Sequence, residues 1–384
     1  MTAARSVLVV GESLAGTTAA RHLRALGHAG PLTLVGAEEQ GAYSRPPLSK
    51  VVLKDPSADE TLGLALDGLD VDVIRSPAVA ADTDRRTVTT ADGRIGYDAL
   101  IVATGADARR LAAPGQRGEL VLRTLEDARR LRARLADATS AIVVGAGFLG
   151  MEVASACAAR GIPVTVVDTD RPLERVLGAY LSAEITARAA THGIRFLQAS
   201  GFATLTGDPV RGVALPDGTE LTADLVVTCA GEVPCVDWLE GTGLAGRLGV
   251  GIDHACATTV PGVFAAGDVT YLRAQGTQPD RRAPFWSNAV AQGRAAAASA
   301  LGLPLPGPAH DDYFWTEVTG LSVKVVGRLP LLGEPTAVQG SVADGRALLT
   351  WNHADGTSTA VAYGLRKPVA ALRALAATSS PPSP

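Results

Sequence analysis

The clearest pattern in the chain is a short apolar run, a glycine-rich turn, a stretch of small residues and a second apolar run that ends at an acid. The two apolar runs occupy residues 141–144 and 164–167, and the small residues occupy 151–159. Continuous apolar runs of this length predict buried strands, and the stretch between them is long enough for a helix. The pattern over residues 140–168 therefore predicts a βαβ unit.

Each glycine of this turn has a separate structural role. Gly145 permits the tight passage from strand to helix, Gly147 lets a pyrophosphate approach bare backbone, and Gly150 lets the helix pack close to the strand. The helix N-terminus adds unpaired N–H groups and partial positive charge. Asp168 ends the second run, where a carboxylate accepts hydrogen bonds from an adenosine ribose. These features predict an NADH site, because the acid repels a 2′-phosphate; Arg171 softens that preference, and the alternative is a glycine turn that binds nothing.

A similar pattern opens the chain. An apolar run leads into a loop with Gly11, Ser13 and Gly16, an alanine-rich stretch and a second apolar run follow, and two acids, Glu38 and Glu39, come next. Ser13 replaces the middle glycine, but it is small and its hydroxyl is able to donate to a phosphate. Two such units about 130 residues apart predict that the chain binds two dinucleotides.

The other apolar and polar runs predict an alternation of strands, hairpins and helices. Strands are expected at 71–74, 87–90, 97–103, 225–231 and 260–266, hairpin turns at 91–94 and 216–218, and helices at 123–136, 181–192 and 286–300. A proline-rich linker at 303–308 precedes a third segment, with strands at 321–326, 336–342, 347–351 and 359–363 and a helix at 364–377.

Composition narrows the class of protein. The 384 residues suffice for two or three domains, and a net charge of −4 gives no bulk attraction to nucleic acid or to an anionic membrane. Four scattered cysteines without a C-x-x-C pair argue against a disulfide framework, a metal site and a redox-active dithiol. No apolar run reaches membrane-spanning length and no secretory leader is evident, so a cytoplasmic protein is expected.

Three further stretches carry candidate chemistry. Arg45 and Lys50 flank a Pro-Pro step, which predicts an extended segment holding a pyrophosphate clamp and a cation near a developing anion; the alternative is a solvated loop. Thr104 and Gly105 end an apolar strand, where small residues allow a flat ligand to approach the backbone. An ordinary buried strand has the same sequence pattern and is the alternative. Asp268 follows a glycine and is able to bind a polyol chain or to cap a helix.

These motifs occur in an order that resembles the FAD-dependent NAD(P)H:ferredoxin reductases, the group of putidaredoxin reductase and rubredoxin reductase. The resemblance covers roughly residues 5–376. It implies an α/β fold with two Rossmann-like dinucleotide-binding domains, the second inserted in the first, plus a C-terminal α+β interface domain. The implied bounds are 1–105 and 231–305 for FAD, 106–230 for NAD(H), 306–376 for the C-terminal domain and 377–384 for a disordered tail.

The resemblance also implies roles for individual residues. Lys50, Glu152 and Trp286 are implied as catalytic. The cofactor contacts are implied for two sets, one for FAD and one for NADH: Gly11, Ser13, Gly16, Glu38, Arg45, Lys50, Thr104, Gly105, Asp268 and Trp286 for FAD, and Gly145, Gly147, Gly150, Glu152, Asp168 and Arg175 for NADH. No metal site is implied.

Two departures from the family pattern bear on function. Phe285 stands where members often have a polar residue before the tryptophan, which puts an ordinary electron exit at the flavin edge in doubt. Cys235 stands where an asparagine is frequent; it is either a packing residue or a reactive thiol.

The implied activity is electron transfer from NADH through FAD to a small iron–sulfur protein, a ferredoxin of [2Fe–2S] type, that serves a P450 or another oxygenase. Lys50 is expected to stabilise the reduced flavin anion. Arg281 and Arg282 are candidates for docking an acidic ferredoxin, with Arg366 and Lys367 as helpers, although surface charge alone explains them equally well. The alternatives are a flavin enzyme acting directly on a small molecule or oxygen, and an NAD(H)-binding redox sensor.

Overall fold

The structure, a computed structural model, describes residues 5–377 except 275, 277 and 278. The predicted disordered tail lies outside these residues apart from Ala377, which ends the last helix.

The described chain alternates strands with helices. In chain order the elements are β1 (Val7–Val10), α1 (Leu14–Ala25), β2 (Leu32–Gly36), α2 (Val51–Lys54), β3 (Asp72–Arg75), β4 (Ala78–Asp82), β5 (Thr87–Thr90), β6 (Gly93–Gly96), β7 (Ala99–Val102), β8 (Ala106–Ala108), β9 (Leu120–Val121), α3 (Leu125–Leu135), β10 (Ala141–Val144), α4 (Phe148–Ala158), β11 (Val164–Asp168), α5 (Glu174–Thr191), β12 (Ile194–Gln198), β13 (Thr204–Thr206), β14 (Gly212–Ala214), β15 (Glu220–Thr222), β16 (Leu225–Thr228), β17 (Glu232–Pro234), β18 (Ala245–Gly246), β19 (Gly249–Ile252), β20 (Val263–Ala265), β21 (Thr270–Leu272), α6 (Trp286–Ala300), β22 (Tyr313–Val318), β23 (Leu321–Val326), β24 (Ala337–Ser341), β25 (Arg346–Asn352), β26 (Ser358–Tyr363) and α7 (Val369–Ala377).

The chain divides into two compact units, and each is made of three separate segments. The first unit comprises Met1–Ser44, Glu60–Asp107 and Val233–Asp311. The second comprises Arg45–Asp59, Ala108–Glu232 and Asp312–Pro384.

The first unit is built on a five-stranded parallel sheet in the order β20-β7-β1-β2-β3. All four residues of β1 are buried, as expected for a central parallel strand covered on both faces. Helices α1 and α6 pack closely because Gly293 faces the other helix: a Cβ at Gly293 would lie 2.6 Å from the Ala15 carbonyl oxygen. Two three-stranded sheets, β4-β5-β6 and β18-β19-β21, complete the unit.

The second unit repeats this plan with a parallel sheet in the order β12-β11-β10-β16-β9. Its helix α3 begins with a capping box, in which Thr124 accepts from the Asp127 N–H at 3.1 Å and Asp127 accepts from the Thr124 N–H at 3.0 Å. The pairing of β1 with β2 and of β10 with β11 is parallel, which confirms both predicted βαβ units. The fold is therefore α/β.

The last segment of the second unit forms an antiparallel sheet in the order β22-β23-β26-β25-β24. Strand β26 is buried along its whole length. Helix α7 covers the sheet, and its Leu372 side chain is fully buried. Four of these strands were predicted. The first, β22, was not, because the alternation along it is not a clean apolar–polar one: tyrosine, tryptophan and glutamate stand at its half-buried positions, and a threonine stands among its buried ones.

Three predictions of local structure were wrong. The helix expected at 364–377 begins only at Val369, because Gly364 has a φ of +65° and Pro368 precedes the first helical turn. The Pro-Pro step does not make an extended segment: Pro46–Ser49 is a 3₁₀ helix, because proline's fixed φ also suits a first helical turn, where no N–H is needed. The helix expected from residue 181 begins at Glu174 and kinks at Gly178, which has a φ of 70°. A Cβ at Gly178 would lie 2.3 Å from the Leu331 carbonyl oxygen, so a side chain there would clash.

Among the described residues, none of the helices combines the length and apolar character that crossing a membrane requires.

Candidate dinucleotide-binding sites

The first glycine loop lies at the carboxyl end of β1, between β2 and β7, where ligands bind open parallel sheets. Gly11 has a φ of +123°, and a Cβ there would lie 2.0 Å from the Ala103 carbonyl oxygen. A Cβ at Gly16 would lie 1.8 Å from the Gly11 carbonyl oxygen. Only glycine fits these two positions.

Ser13 is the N-cap residue of α1. Its backbone is extended, and its hydroxyl makes no capping hydrogen bond. The first-turn N–H groups of the helix therefore keep their capacity for an anion, and the hydroxyl adds a donor beside them. This arrangement fits the pyrophosphate of a dinucleotide.

Glu38 follows β2 at the same edge of the sheet. The Tyr43 hydroxyl donates a hydrogen bond to one oxygen of the Glu38 carboxylate.

A second loop at this edge of the sheet follows β7. In it the Thr104 hydroxyl donates to the Cys235 carbonyl at 2.7 Å, and Gly105 has a φ of +71°. The Thr104 hydroxyl thus ties this segment to the backbone at Cys235.

The Gly267-Asp268 turn is held by two residues that the sequence did not reveal in this role. Gln292 is buried, and its Oε1 accepts from the Gly267 N–H at 2.7 Å and from the Thr270 hydroxyl at 3.1 Å. Arg282 donates to the Asp268 carbonyl at 2.6 Å. The turn is fixed from both sides, and a glutamine seven residues into α6 carries no local signal that would have identified it.

Arg282 also donates to the Leu248 carbonyl at 3.1 Å, so its guanidinium binds two backbone carbonyls. Its neighbour Arg281 is exposed, and Trp286, at the start of α6, is 41% exposed. The structure therefore separates the two arginines that the sequence presented as a pair.

In the second unit, the glycine loop at the end of β10 has the same geometry as the first. Gly145 has a φ of +112°, and its Cβ would lie 2.2 Å from the Cys229 carbonyl oxygen; a Cβ at Gly150 would lie 1.9 Å from the Gly145 carbonyl oxygen. At Gly147, by contrast, a Cβ would meet no described atom within 4 Å. Open space at this position is what a pyrophosphate needs in order to approach the backbone, so the loop fits a dinucleotide.

Asp168 ends β11 beside this loop. Its carboxylate accepts from the Ala146 N–H at 2.6 Å and from the Thr169 N–H at 2.6 Å. Arg175 Nη2 lies 3.6 Å from Asp168 Oδ1, and the same guanidinium also pairs with Asp170. Asp168 is thus held in place by the backbone, with a mostly exposed arginine beside it.

Glu152, on α4, is the most enclosed acid among the predicted site residues of this unit. Its carboxylate accepts from Lys50 Nζ at 2.6 Å, from the Ser49 hydroxyl at 2.5 Å and from the Thr316 hydroxyl at 2.8 Å. Two of the three predicted catalytic residues, Lys50 and Glu152, are therefore in direct contact, and Ser49 and Thr316 were not expected there. Arg45, in the same segment as Lys50, donates to the Arg123 carbonyl at 2.8 Å.

All four cysteines are free. Burial raises the pKa of the Cys157, Cys229 and Cys256 thiols to about 12. These three side chains are consequently neutral thiols at physiological pH, and they are not competent nucleophiles.

The comparisons with known proteins agree with this geometry. The chain is 34% identical to a probable ferredoxin reductase of Castellaniella defragrans over 94% of its length and 90% of the relative's. It is 33% identical to the ferredoxin–NAD(+) reductase component of the biphenyl dioxygenase system of Paraburkholderia xenovorans, covering 91% of this chain and 88% of that protein.

Among solved structures, the covalent putidaredoxin reductase–putidaredoxin complex matches with a TM-score of 0.85 at 29% identity, over 98% of this chain and 93% of that chain. A family model described as pyridine nucleotide-disulphide oxidoreductase matches residues 5–293. The chain therefore belongs to the pyridine nucleotide-disulphide oxidoreductase family.

Proposed function

We propose that this protein is an FAD-dependent NADH:ferredoxin reductase that supplies electrons to an oxygenase system. The observation that carries the proposal is the presence of two dinucleotide loops, one in each unit, in a chain that matches ferredoxin reductases over nearly its full length. FAD and NADH are the cofactors that this family membership implies.

We assign FAD to the first unit. Bound there, FAD supplies the step from a two-electron hydride donor to a one-electron acceptor. Gly11, Ser13 and Gly16 are assigned to its pyrophosphate, for which the Ser13 hydroxyl and the first-turn N–H groups of α1 are the donors, and Glu38 provides a carboxylate for its adenosine ribose. The backbone after β7 and the Asp268 turn are assigned to the rest of the cofactor, with Trp286 beside its ring.

NADH is assigned to the second unit, with its pyrophosphate at the open position beside Gly147. Asp168 is fixed by two backbone N–H groups, so its carboxylate meets a ribose hydroxyl well and a 2′-phosphate badly. Arg175 lies beside it and offsets part of this repulsion. We therefore propose a preference for NADH rather than absolute specificity.

Lys50 is assigned the role of a fixed positive charge in the reaction. Glu152 holds the ammonium group at 2.6 Å, and the Pro46 carbonyl accepts from it at 3.2 Å, so its position does not depend on a bound ligand. A preorganised charge of this kind stabilises a developing anion without reorganisation.

The cysteines bear on the route of the electrons. The three thiols with raised pKa values are neutral, which argues against a thiolate relay through them. This supports direct transfer to an external one-electron acceptor. We propose a [2Fe–2S] ferredoxin as that acceptor and Arg281 as a docking cation, with Arg366 and Lys367 as helpers.

The free cysteines also support our proposal of a cytoplasmic location. The function is tested by mixing the anaerobic holoprotein with NADH and then with a ferredoxin and cytochrome c. Loss of flavin absorbance followed by ferredoxin-dependent cytochrome reduction is expected. Discharge by oxygen or a small quinone, but not by ferredoxin, would contradict the reductase function.

A further inference from the structure

The first glycine loop contains an acid in a place where negative charge is costly. Glu12 lies between Gly11 and Ser13, in the loop assigned to a pyrophosphate, and it is only 7% exposed. Buried carboxylates need partners, and an acid beside phosphates is repelled by them. The position of this side chain therefore requires a specific explanation.

The Glu12 carboxylate lies beside two glycines, Gly36 at the carboxyl end of β2 and Gly41 in the loop that follows. A Cβ at Gly36 would lie 2.3 Å from Glu12 Oε2, and a Cβ at Gly41 would lie 3.3 Å from Glu12 Oε1. This is the edge that also carries Glu38, where dinucleotide folds bind the adenosine ribose. The carboxylate thus occupies the adenosine end of the site, and the absence of side chains at Gly36 and Gly41 gives it room.

Only one oxygen of this carboxylate is neutralised by the protein. Oε1 lies 3.2 Å from Arg75 Nη2, an ion pair supplied by the neighbouring strand β3. Oε2 is buried and has no hydrogen-bond partner among the described residues. A buried carboxylate oxygen without a donor costs stability, so such an atom indicates a donor that arrives with a ligand.

The electrostatics of the pair agree with this division. Burial raises the pKa of the Glu12 carboxyl and Glu38 adds to that rise, whereas the Arg75 guanidinium and, to a smaller extent, a hydrogen bond from the Ala42 backbone oppose it. Arg75 is the cation that favours the ionised form, in which Oε2 is an acceptor.

We propose that Glu12 is a second ribose-binding carboxylate, whose Oε2 accepts a hydrogen bond from a hydroxyl of the FAD adenosine, with Arg75 as its counter-ion. The inference rests on the assignment of FAD to the first unit. A ribose carries two neighbouring hydroxyl donors, which matches two acids at one strand end, Glu12 and Glu38. A pyrophosphate offers acceptors only and does not fit an acceptor such as Oε2.

The test measures binding rather than turnover. The flavin is removed, and the full-length protein is titrated with FAD by fluorescence quenching and with ADP, 2′-deoxy-ADP and 3′-deoxy-ADP by displacement of FAD. For Glu12→Gln we expect about tenfold weaker FAD binding, equivalent to about 1.4 kcal/mol. The matched control is Glu39→Gln, which removes the same charge from an exposed neighbour and leaves affinity unchanged.

The deoxy nucleotides identify the group that Glu12 binds. In the wild type, at least one deoxy analogue binds about tenfold more weakly than ADP, and this difference falls below twofold in Glu12→Gln. If the difference persists in the variant, or if the variant binds FAD as tightly as the wild type, the proposal is overturned. A wild-type protein that does not bind FAD at all would instead remove the cofactor assignment on which the inference rests.

A second variant covers the case in which Glu12→Gln does not fold. Arg75 is half exposed, so Arg75→Gln disturbs packing little while it deprives Glu12 of its counter-ion. We expect a parallel fall in affinity for FAD and ADP. Unchanged ADP affinity in a folded Arg75→Gln protein would overturn the proposal.

Discussion

Replacing Glu152 by glutamine is predicted to loosen the second unit at one defined place. The carboxylate joins three separate chain segments of that unit: Lys50 and Ser49 come from Arg45–Asp59, Glu152 from Ala108–Glu232 and Thr316 from Asp312–Pro384. Glutamine keeps the shape and one acceptor, but it removes the charge that all three donors share. The substitution therefore tests the electrostatic part of the cluster.

The free-energy cost of Glu152→Gln follows from the burial of the Glu152–Lys50 pair. Glu152 is buried and the Lys50 side chain is 23% exposed. Removing one partner of a buried pair costs about 3–5 kcal/mol. The cost here is expected at or somewhat below the lower end of that range, because the Lys50 ammonium retains the Pro46 carbonyl and some access to water. We expect a loss of about 2–3 kcal/mol, which corresponds to roughly 30- to 150-fold more frequent opening of the segment.

Hydrogen exchange measures this opening directly. The Leu48 and Lys50 amides are suitable probes, since they donate to the Arg45 and Pro47 carbonyls inside the 3₁₀ turn. The control is Glu126→Gln in α3, which breaks an exposed pair with Arg130 at 3.9 Å and is expected to cost less than about 0.5 kcal/mol. Amides of α1, in the first unit, serve as an internal reference.

The reasoning is refuted if the two probe amides exchange at the same rate in Glu152→Gln and Glu126→Gln. Equal acceleration throughout both units would also refute it, because the predicted effect is local to the cluster.

Three further predictions concern the sites. Gly145→Ala, which forces a φ of +112° and a carbonyl clash at 2.2 Å, is expected to abolish flavin bleaching by NADH while the flavin spectrum is retained; normal bleaching would contradict this. Cys157, with its pKa raised to about 12, is ionised in only about one molecule in ten thousand at pH 8, so mass spectrometry after brief alkylation of the native protein is expected to find it unlabelled. Arg282→Ala loses two charged hydrogen bonds to carbonyls and is expected to weaken FAD binding about tenfold, whereas Arg281→Ala raises only the KM for ferredoxin; the opposite assignment of effects would be contrary evidence.

The sequence was most informative where periodicity and glycine spacing act together. The apolar runs that became β1 and β10 and the glycines after them predicted two βαβ units, because a parallel strand buried on both faces has a nearly continuous apolar sequence. Hairpins were predicted equally well, as β14 and β15 show. The 3₁₀ helix at Pro46–Ser49 was missed because proline's φ is compatible with both extended and helical backbone.

The site was less accessible to sequence reasoning, because its supporting contacts join residues far apart in the chain. Nothing local marks Thr316 as a partner of Glu152, 164 positions away, or Gln292 as a clamp on Gly267. Arg282 was interpreted as a surface cation because charge is visible in a sequence and hydrogen-bond partners are not. Glu12 was overlooked since glycine-loop motifs direct attention to the glycines and not to the residues between them.

The most direct test of the central claim is an anaerobic titration of the flavin-loaded protein with NADH, followed by a [2Fe–2S] ferredoxin with cytochrome c as final acceptor. We expect stoichiometric loss of flavin absorbance and then cytochrome reduction whose rate rises with ferredoxin concentration. A colourless protein that takes up no FAD, or a reduced flavin that ferredoxin does not reoxidise, would contradict the account.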